Sequence, residues 1–345
     1  MPRLALPVSI LDLGDVSAQM RTVMQEHFTR LSRLAERGAA VKLRRIYEVA
    51  LTDMQRKVKH AVALGAGDAF TAHAQRVAMA QLNDGIRVMV RRMGTTLAEH
   101  TRETRVESLH GLVKDIGRLE HSFTGAEVVL PIEESSVFAG IVEGRTTSLM
   151  GELLADGTPR FSSLALYGAD MVGDMEEILA LATLEGDSVS GAIARIEGAG
   201  DMEWYRAERI ARTETSYAYN SVRADGMEAA SEELPDLYQQ WSEYVLDGAP
   251  LDDRVGKDSI ALHGQIARTG KAFIMPDDST VSDKMWGQRY MFPPNRPNDR
   301  ATIVPWRAEW GEPGWMCVDG QRIAFADLKP EELEAQALDA GEDEE

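Results

Sequence analysis

The sequence predicts an α-dominant α+β fold: a long N-terminal helical region, then a mixed α+β module with short C-terminal strands. Three observations predict it. Apolar residues recur at spacings of three and four from about residue 16 to 123, with no proline between Pro7 and Pro131. Beyond Leu246 the texture turns to β-branched runs and turns, in LDDRV, TGKAFIMPDDS and RATIVPW. Aromatic residues make up only 6% of the chain while methionine reaches 16, a composition that favours helix packing over a β-sandwich.

With 345 residues, 44% of them hydrophobic and 27% charged, the chain has material for two or three domains and for a substantial core. The single cysteine, Cys317, excludes an internal disulfide framework and a Cys-rich zinc finger, and fits a reducing compartment. No stretch approaches the ~20 apolar residues of a membrane span. The opening run MPRLALPVSILDLGD reaches Asp12 and Asp15 where a signal peptide would place its cleavage site. The expectation is a soluble, non-secreted protein with no membrane partner.

Three apolar stripes define the helical region, which spans residues 1–125. The first is Leu43, Tyr47, Ala50, Met54, Val58 and Ala61; the second is Leu82, Ile86, Met89 or Val90, Met93 and Leu97. The third is Val106, Leu109, Val113, Ile116, Leu119 and Phe123. Breaks are expected at Gly65–Gly67, at Gly94 and around Gly111 and Gly117. Residues 125–131 read as a linker or short strand, opening a module that extends over residues 126–306. Within it, residues 165–184 are helical, 188–196 form a short capped helix, and 202–234 form one long helix stopped before Pro235. Residues 307–345 are a C-terminal extension whose last part, from Glu331, holds eight acidic residues and no basic one, a solvated tail.

The formal charge of −19 is unevenly spread. Residues 1–125 carry 19 Lys and Arg against 13 Asp and Glu, whereas the remainder carries 18 against 43. A basic end of this kind can meet DNA or an acidic partner, or can simply be solvated. The candidate DNA contacts are Arg87, Arg91 and Arg92, then Arg102 and Arg105, which share helix faces at spacings of three and four.

Catalytic signals are missing. Six of the seven histidines lie in the helical region of residues 1–125, without the spaced pair and intervening glutamate of a zinc-protease helix. There is no phosphate loop and no nucleophile elbow. What stands out is three motifs in order. The first, RAERIARTETSYAYN, places Arg212 four residues from Glu208 on one helix face, with Thr213, Glu214 and Asn220 following. The second runs from Trp241 through Asp252 and Arg254 to His263 and Gly264. The third, FPPNRPNDRATIVP, carries Pro294, Pro297 and Arg300 and leads into a β-branched strand that Pro305 confines to a sheet edge.

Together the motifs resemble the phage head-morphogenesis family, the Mu F-like minor head proteins of tailed phages, over roughly residues 160–306. The resemblance implies a structural minor head protein acting in procapsid assembly at or near the portal. Its implied partners are the portal and the major capsid or scaffold proteins, with packaged double-stranded DNA as a further contact. It implies a location in the virion, in the head interior or at the portal vertex, after assembly in the host cytoplasm. Where many relatives carry His and Cys in the closing loop, this chain has Arg296, Asp299 and Ala301, and Ser259 replaces a further His. The resemblance therefore implies no metal and no other cofactor here. The competing reading is an enzyme, a nucleic-acid-processing or transferase activity using Arg212, Glu214 and His263. A third is a DNA-binding scaffold built on the basic helices.

Overall fold

Two helices of about fifty residues open the chain: α1 (Leu13–Ala63) and α2 (Ala72–Thr124). A 3-10 turn at Pro131–Glu133 follows, then α3 (Ser135–Leu149), α4 (Ser162–Leu184) and the 42-residue α5 (Val189–Ala230). Short strands then alternate with the small helix α6 (Lys257–Leu262). The computed structural model describes residues 13–63, 69–133, 135–149, 162–243, 245–246, 249–250, 255–296, 299, 301–310 and 313–333. No described helix is long and apolar enough to cross a membrane.

The chain forms two compact units, neither continuous in sequence. Unit 2 takes residues 34–104 and 143–218; unit 1 takes its residues from 1–33, 105–142 and 219–345. The divisions at 125 and 306 are changes of sequence texture, and both fall inside unit 1.

Unit 2 is helical. Its core interleaves Leu43, Tyr47, Met54 and Val58 of α1, Leu82, Ile86, Met89, Met93 and Leu97 of α2, Met171, Met175 and Leu179 of α4, and Ile196, Ala207 and Ala211 of α5. The α1 and α2 residues come from the first two sequence stripes, which turn inward because each makes one face of a 3.6-residue period. His100 is an interhelical histidine, its Nε2 2.7 Å from the Ala35 carbonyl oxygen and its Nδ1 3.3 Å from Lys42 Nζ.

Unit 1 packs the ends of α2 and α5 against a three-stranded antiparallel sheet of order β4-β1-β7, made by β1 (Tyr238–Ser242), β4 (Ile266–Arg268) and β7 (Thr302–Trp306). The third stripe supplies Leu109, Ile116 and Leu119, joined by Leu112 from outside the stripe, to a core shared with Val222, Trp241, Phe273 and Ile303. Gly226 of α5 allows close approach: a Cβ there would lie 2.6 Å from a Leu109 methyl. Three hairpin-like pairs complete the described strands: β2 (Val245–Leu246) with β3 (Ala249–Pro250), β5 (Phe273–Ile274) with β6 (Arg289–Tyr290), and β8 (Trp315–Val318) with β9 (Gln321–Ala324). As Pro305 requires, β7 lies at the sheet edge, pairing with β1 alone.

Several elements differ from the sequence reading. Gly94, Gly111 and Gly117 do not break α2. Each glycine costs a helix only about 1 kcal/mol relative to alanine, and the buried stripes of so long a helix outweigh that. The two helices expected at 188–196 and 202–234 are one, α5, capped where Ser188 Oγ accepts the Gly191 N–H at 3.1 Å. It ends at Ala230, and residues 231–234 form a turn before Pro235. Residues 125–130 are irregular chain, and α3 follows rather than a strand. The Gly65–Gly67 pair and the acidic tail beyond residue 333 lie outside the described residues.

Candidate functional site

The distal part of the first motif anchors the third. Asn220 is fully buried on α5, and its side-chain oxygen accepts the Ile303 N–H at 3.1 Å and the Thr302 hydroxyl at 2.9 Å. Its amide nitrogen donates to the Ala301 carbonyl at 3.3 Å. One turn on, Arg223 Nε donates to the Ile303 carbonyl at 3.2 Å, and its Nη1 lies 3.8 Å from the Asp115 carboxylate. The free edge of β7 is thereby closed by side chains of α5 instead of by another strand. Tyr219, stacked 5.4 Å beneath the Arg223 guanidinium, has its hydroxyl pKa raised by burial.

The second motif begins in the middle strand of the sheet and ends just before β4. Trp241 is fully buried, edge-on to Phe273 at 5.3 Å. Gly264 supplies the φ of +81° that turns the chain from α6 into β4, and its N–H reaches the Trp241 carbonyl at 2.9 Å. His263, directly before it, accepts the Glu243 N–H on Nδ1 at 3.1 Å, while its carbonyl takes the Trp315 indole N–H at 3.0 Å. Burial pushes the His263 pKa down to about 4, so the ring is neutral and serves as an acceptor. Asp252 and Arg254 lie outside the described residues.

The closing loop begins at a cis Pro293–Pro294 bond and is clasped by Asp299. That buried carboxylate accepts the Ser259 hydroxyl at 2.8 Å, the Asn295 N–H at 3.1 Å and the Ala301 N–H at 3.3 Å. Arg296 Nη2 stands 3.8 Å away, while its Nε donates to Asp258 at 3.1 Å. Burial raises the Asp299 pKa against the pull of Ser259 and Arg296. Ser259 and Asp299, two of the four positions at which relatives carry His or Cys, thus hydrogen-bond to each other. Among the described residues no group of three His, Cys, Asp or Glu side chains is placed to hold a metal ion. Pro297 and Arg300 fall outside the described residues.

The proximal part of the first motif belongs to unit 2. Arg212 pairs with Glu208 at 2.6 Å, both half-buried, and Thr213 donates to the Arg209 carbonyl at 2.8 Å. Glu214 is buried. Arg212 and Glu214 therefore lie in one unit and His263 in the other.

The candidate DNA contacts divide. Arg87, Arg91 and Arg92 are exposed on α2. Arg102 is exposed too, with a guanidinium nitrogen 3.9 Å from Glu143. Arg105 is a correction: it is completely buried, donating to the Ile141 carbonyl at 2.9 Å and to Ser221 at 3.3 Å. A spacing of three brings side chains to neighbouring turns, but here the boundary between core and solvent runs between them. Of the tryptophans after Trp241, Trp306 and Trp310 are buried, Trp315 is half-buried and Trp286 is 41% exposed.

Sequence reasoning missed two glutamines of β1. Gln239 donates to the Lys271 carbonyl at 2.6 Å, and Gln240 to Gly264 and Pro313 carbonyls at 3.3 and 3.2 Å. It also missed Arg307, which bridges Glu120 and Asp236. Hydrogen bonds from Arg307 and Trp310 hold the Glu120 pKa low against its burial.

The fold and site define an α-dominant α+β protein whose motif residues brace a small sheet through buried hydrogen bonds. Comparison with family models, curated proteins and solved structures returns no match.

Proposed function

We propose that this chain is a structural minor head protein of a tailed phage or phage-like particle, acting in procapsid assembly at or near the portal. One observation carries the reading: residues of the three motifs do bracing work in unit 1. Asn220 holds the strand of the third motif, Gly264 bonds back to Trp241 within the second, and Asp299 clasps the closing loop to Ser259. Side chains so engaged in backbone and hydroxyl hydrogen bonds specify a shape, and a shape is what an assembly protein contributes. The enzyme reading loses ground for the same reason. Arg212 is occupied by Glu208, and a histidine kept neutral down to about pH 4 and accepting a backbone N–H has no free electron pair on Nδ1 for general-base work. Mass spectrometry of purified heads from an infection expressing the gene tests the reading; heads that assemble normally and contain none of this chain would overturn it.

Contact with packaged DNA is a second element of the proposal. It rests on the exposed Arg87, Arg91 and Arg92, which lie within two turns of α2. Retention on duplex DNA should fall with salt, and replacing the three by alanine should reduce the salt slope by up to about three.

A further inference from the structure

Two exposed helix stripes of unit 2 have matching form and opposite charge. On α4, Leu166, Asp170, Gly173, Glu177, Leu181 and Leu184 follow at spacings of four, three, four, four and three, and all are exposed. At about 100° per residue they fall within one arc of about 80°. Leu166, Leu181 and Leu184 are 59%, 42% and 83% exposed, and α4 contains four acidic residues and no Lys or Arg. On α1, Leu34, Val41, Arg45, Val49, Arg56 and Lys59 share an arc of the same width, all exposed, with Leu34, Val41 and Val49 at 53%, 70% and 59%. Residues 34–63 carry seven Lys and Arg against three Asp and Glu. The α4 stripe is about 27 Å long, and the apolar part of the α1 stripe about 22 Å.

Single exposed apolar residues are ordinary, but aligned rows bordered by charge mark contact surfaces. Both rows are open to solvent within one chain, so neither covers the other. A two-fold contact of α1 on α1 would set cation against cation, and α4 on α4 would set carboxylate against carboxylate. Only α4 on α1 joins leucine to valine and carboxylate to guanidinium. We propose that copies of this chain associate head to tail through unit 2, the α4 stripe of one copy seated on the α1 stripe of the next. A contact of this kind uses different surfaces on the two partners, so it propagates into a ring or an open chain. The proposal is independent of the head-protein reading.

Sedimentation velocity of the full-length protein, from low to high micromolar concentration in low and high salt, tests it. The wild type should form concentration-dependent oligomers that salt dissociates. Arg45→Glu and Glu177→Arg change exposed side chains and should leave the helical circular dichroism intact, while each weakens self-association by ~tenfold or more. Mixing the two variants, or combining both changes in one chain, should restore it, since each negative stripe then faces a positive one. A wild type that stays monomeric throughout, oligomers that either single variant leaves intact, or a mixture that fails to reassociate would each overturn the proposal.

Discussion

The side-chain oxygen of Asn220 accepts the backbone N–H of Ile303 at 3.1 Å, joining the start of the unit-1 part of α5 to the edge strand 83 residues later. The same side chain bonds Thr302 and Ala301, so one buried amide fixes three consecutive residues of the closing segment. Asn220→Ala strands a buried N–H and a buried hydroxyl, each costing about 1–3 kcal/mol. We expect a loss of about 2–4 kcal/mol in urea denaturation of the unit-1 transition. A change below about 0.5 kcal/mol would mean that the strand is held elsewhere.

Arg212 and Arg223 lie three turns apart on α5 and should behave differently. The Arg212–Glu208 pair leaves 22% of each side chain exposed, so Arg212→Ala should cost only ~1 kcal/mol. Arg223 and Asp115 are 0% and 4% exposed, and Arg223→Ala leaves a buried carboxylate behind, worth about 3–5 kcal/mol. Thermal melts of the two variants decide between this order and the reverse.

His263 gives stability a pH dependence of known sign. Its folded pKa lies near 4, below the unfolded value of 6.5, so the unfolded chain binds the proton more readily. Its contribution is complete above about pH 6.5 and is lost as pH falls towards 4, by up to about 3 kcal/mol. His263→Asn keeps an acceptor for the Glu243 N–H but does not titrate. The difference in stability between wild type and this variant should therefore shrink or invert on acidification, and a constant difference from pH 7 to about pH 4 would contradict the assignment.

Asp299 acts as a hydrogen-bond clasp, with Ser259, Asn295 and Ala301 all donating to it. Asp299→Ala should cost ~3 kcal/mol or more because the buried Ser259 hydroxyl and the buried Ala301 N–H lose their acceptor. Elemental analysis of the purified protein should find zinc far below one per chain, and a stoichiometric content would show that the loop is held by metal.

The helical half was legible because burial follows spacing: Leu43, Met54, Leu82, Met93 and Ile116 all sit on the predicted stripes and all are in the core. Strand β1 was not legible. Its sequence YQQWS reads as polar, yet all five residues are buried, and backbone carbonyls accept from the amide nitrogens of both glutamines. Periodicity also cannot tell which of two helix neighbours faces inward, so Arg102 and Arg105 looked alike although only one is exposed. The contact between Ser259 and Asp299 joins residues 40 apart through a fold that no local pattern encodes. The three motifs were visible as motifs, but their role as braces became visible only when their partners were in place.

The central claim, a structural role at the portal, is tested most directly by cosedimentation of the full-length protein with isolated rings of the portal protein from the same particle. The account predicts that the chain pellets with the rings at a fixed ratio, and that Asn220→Ala, by loosening unit 1, weakens that binding. A well-folded wild-type chain that stays in the supernatant while the rings pellet would contradict it.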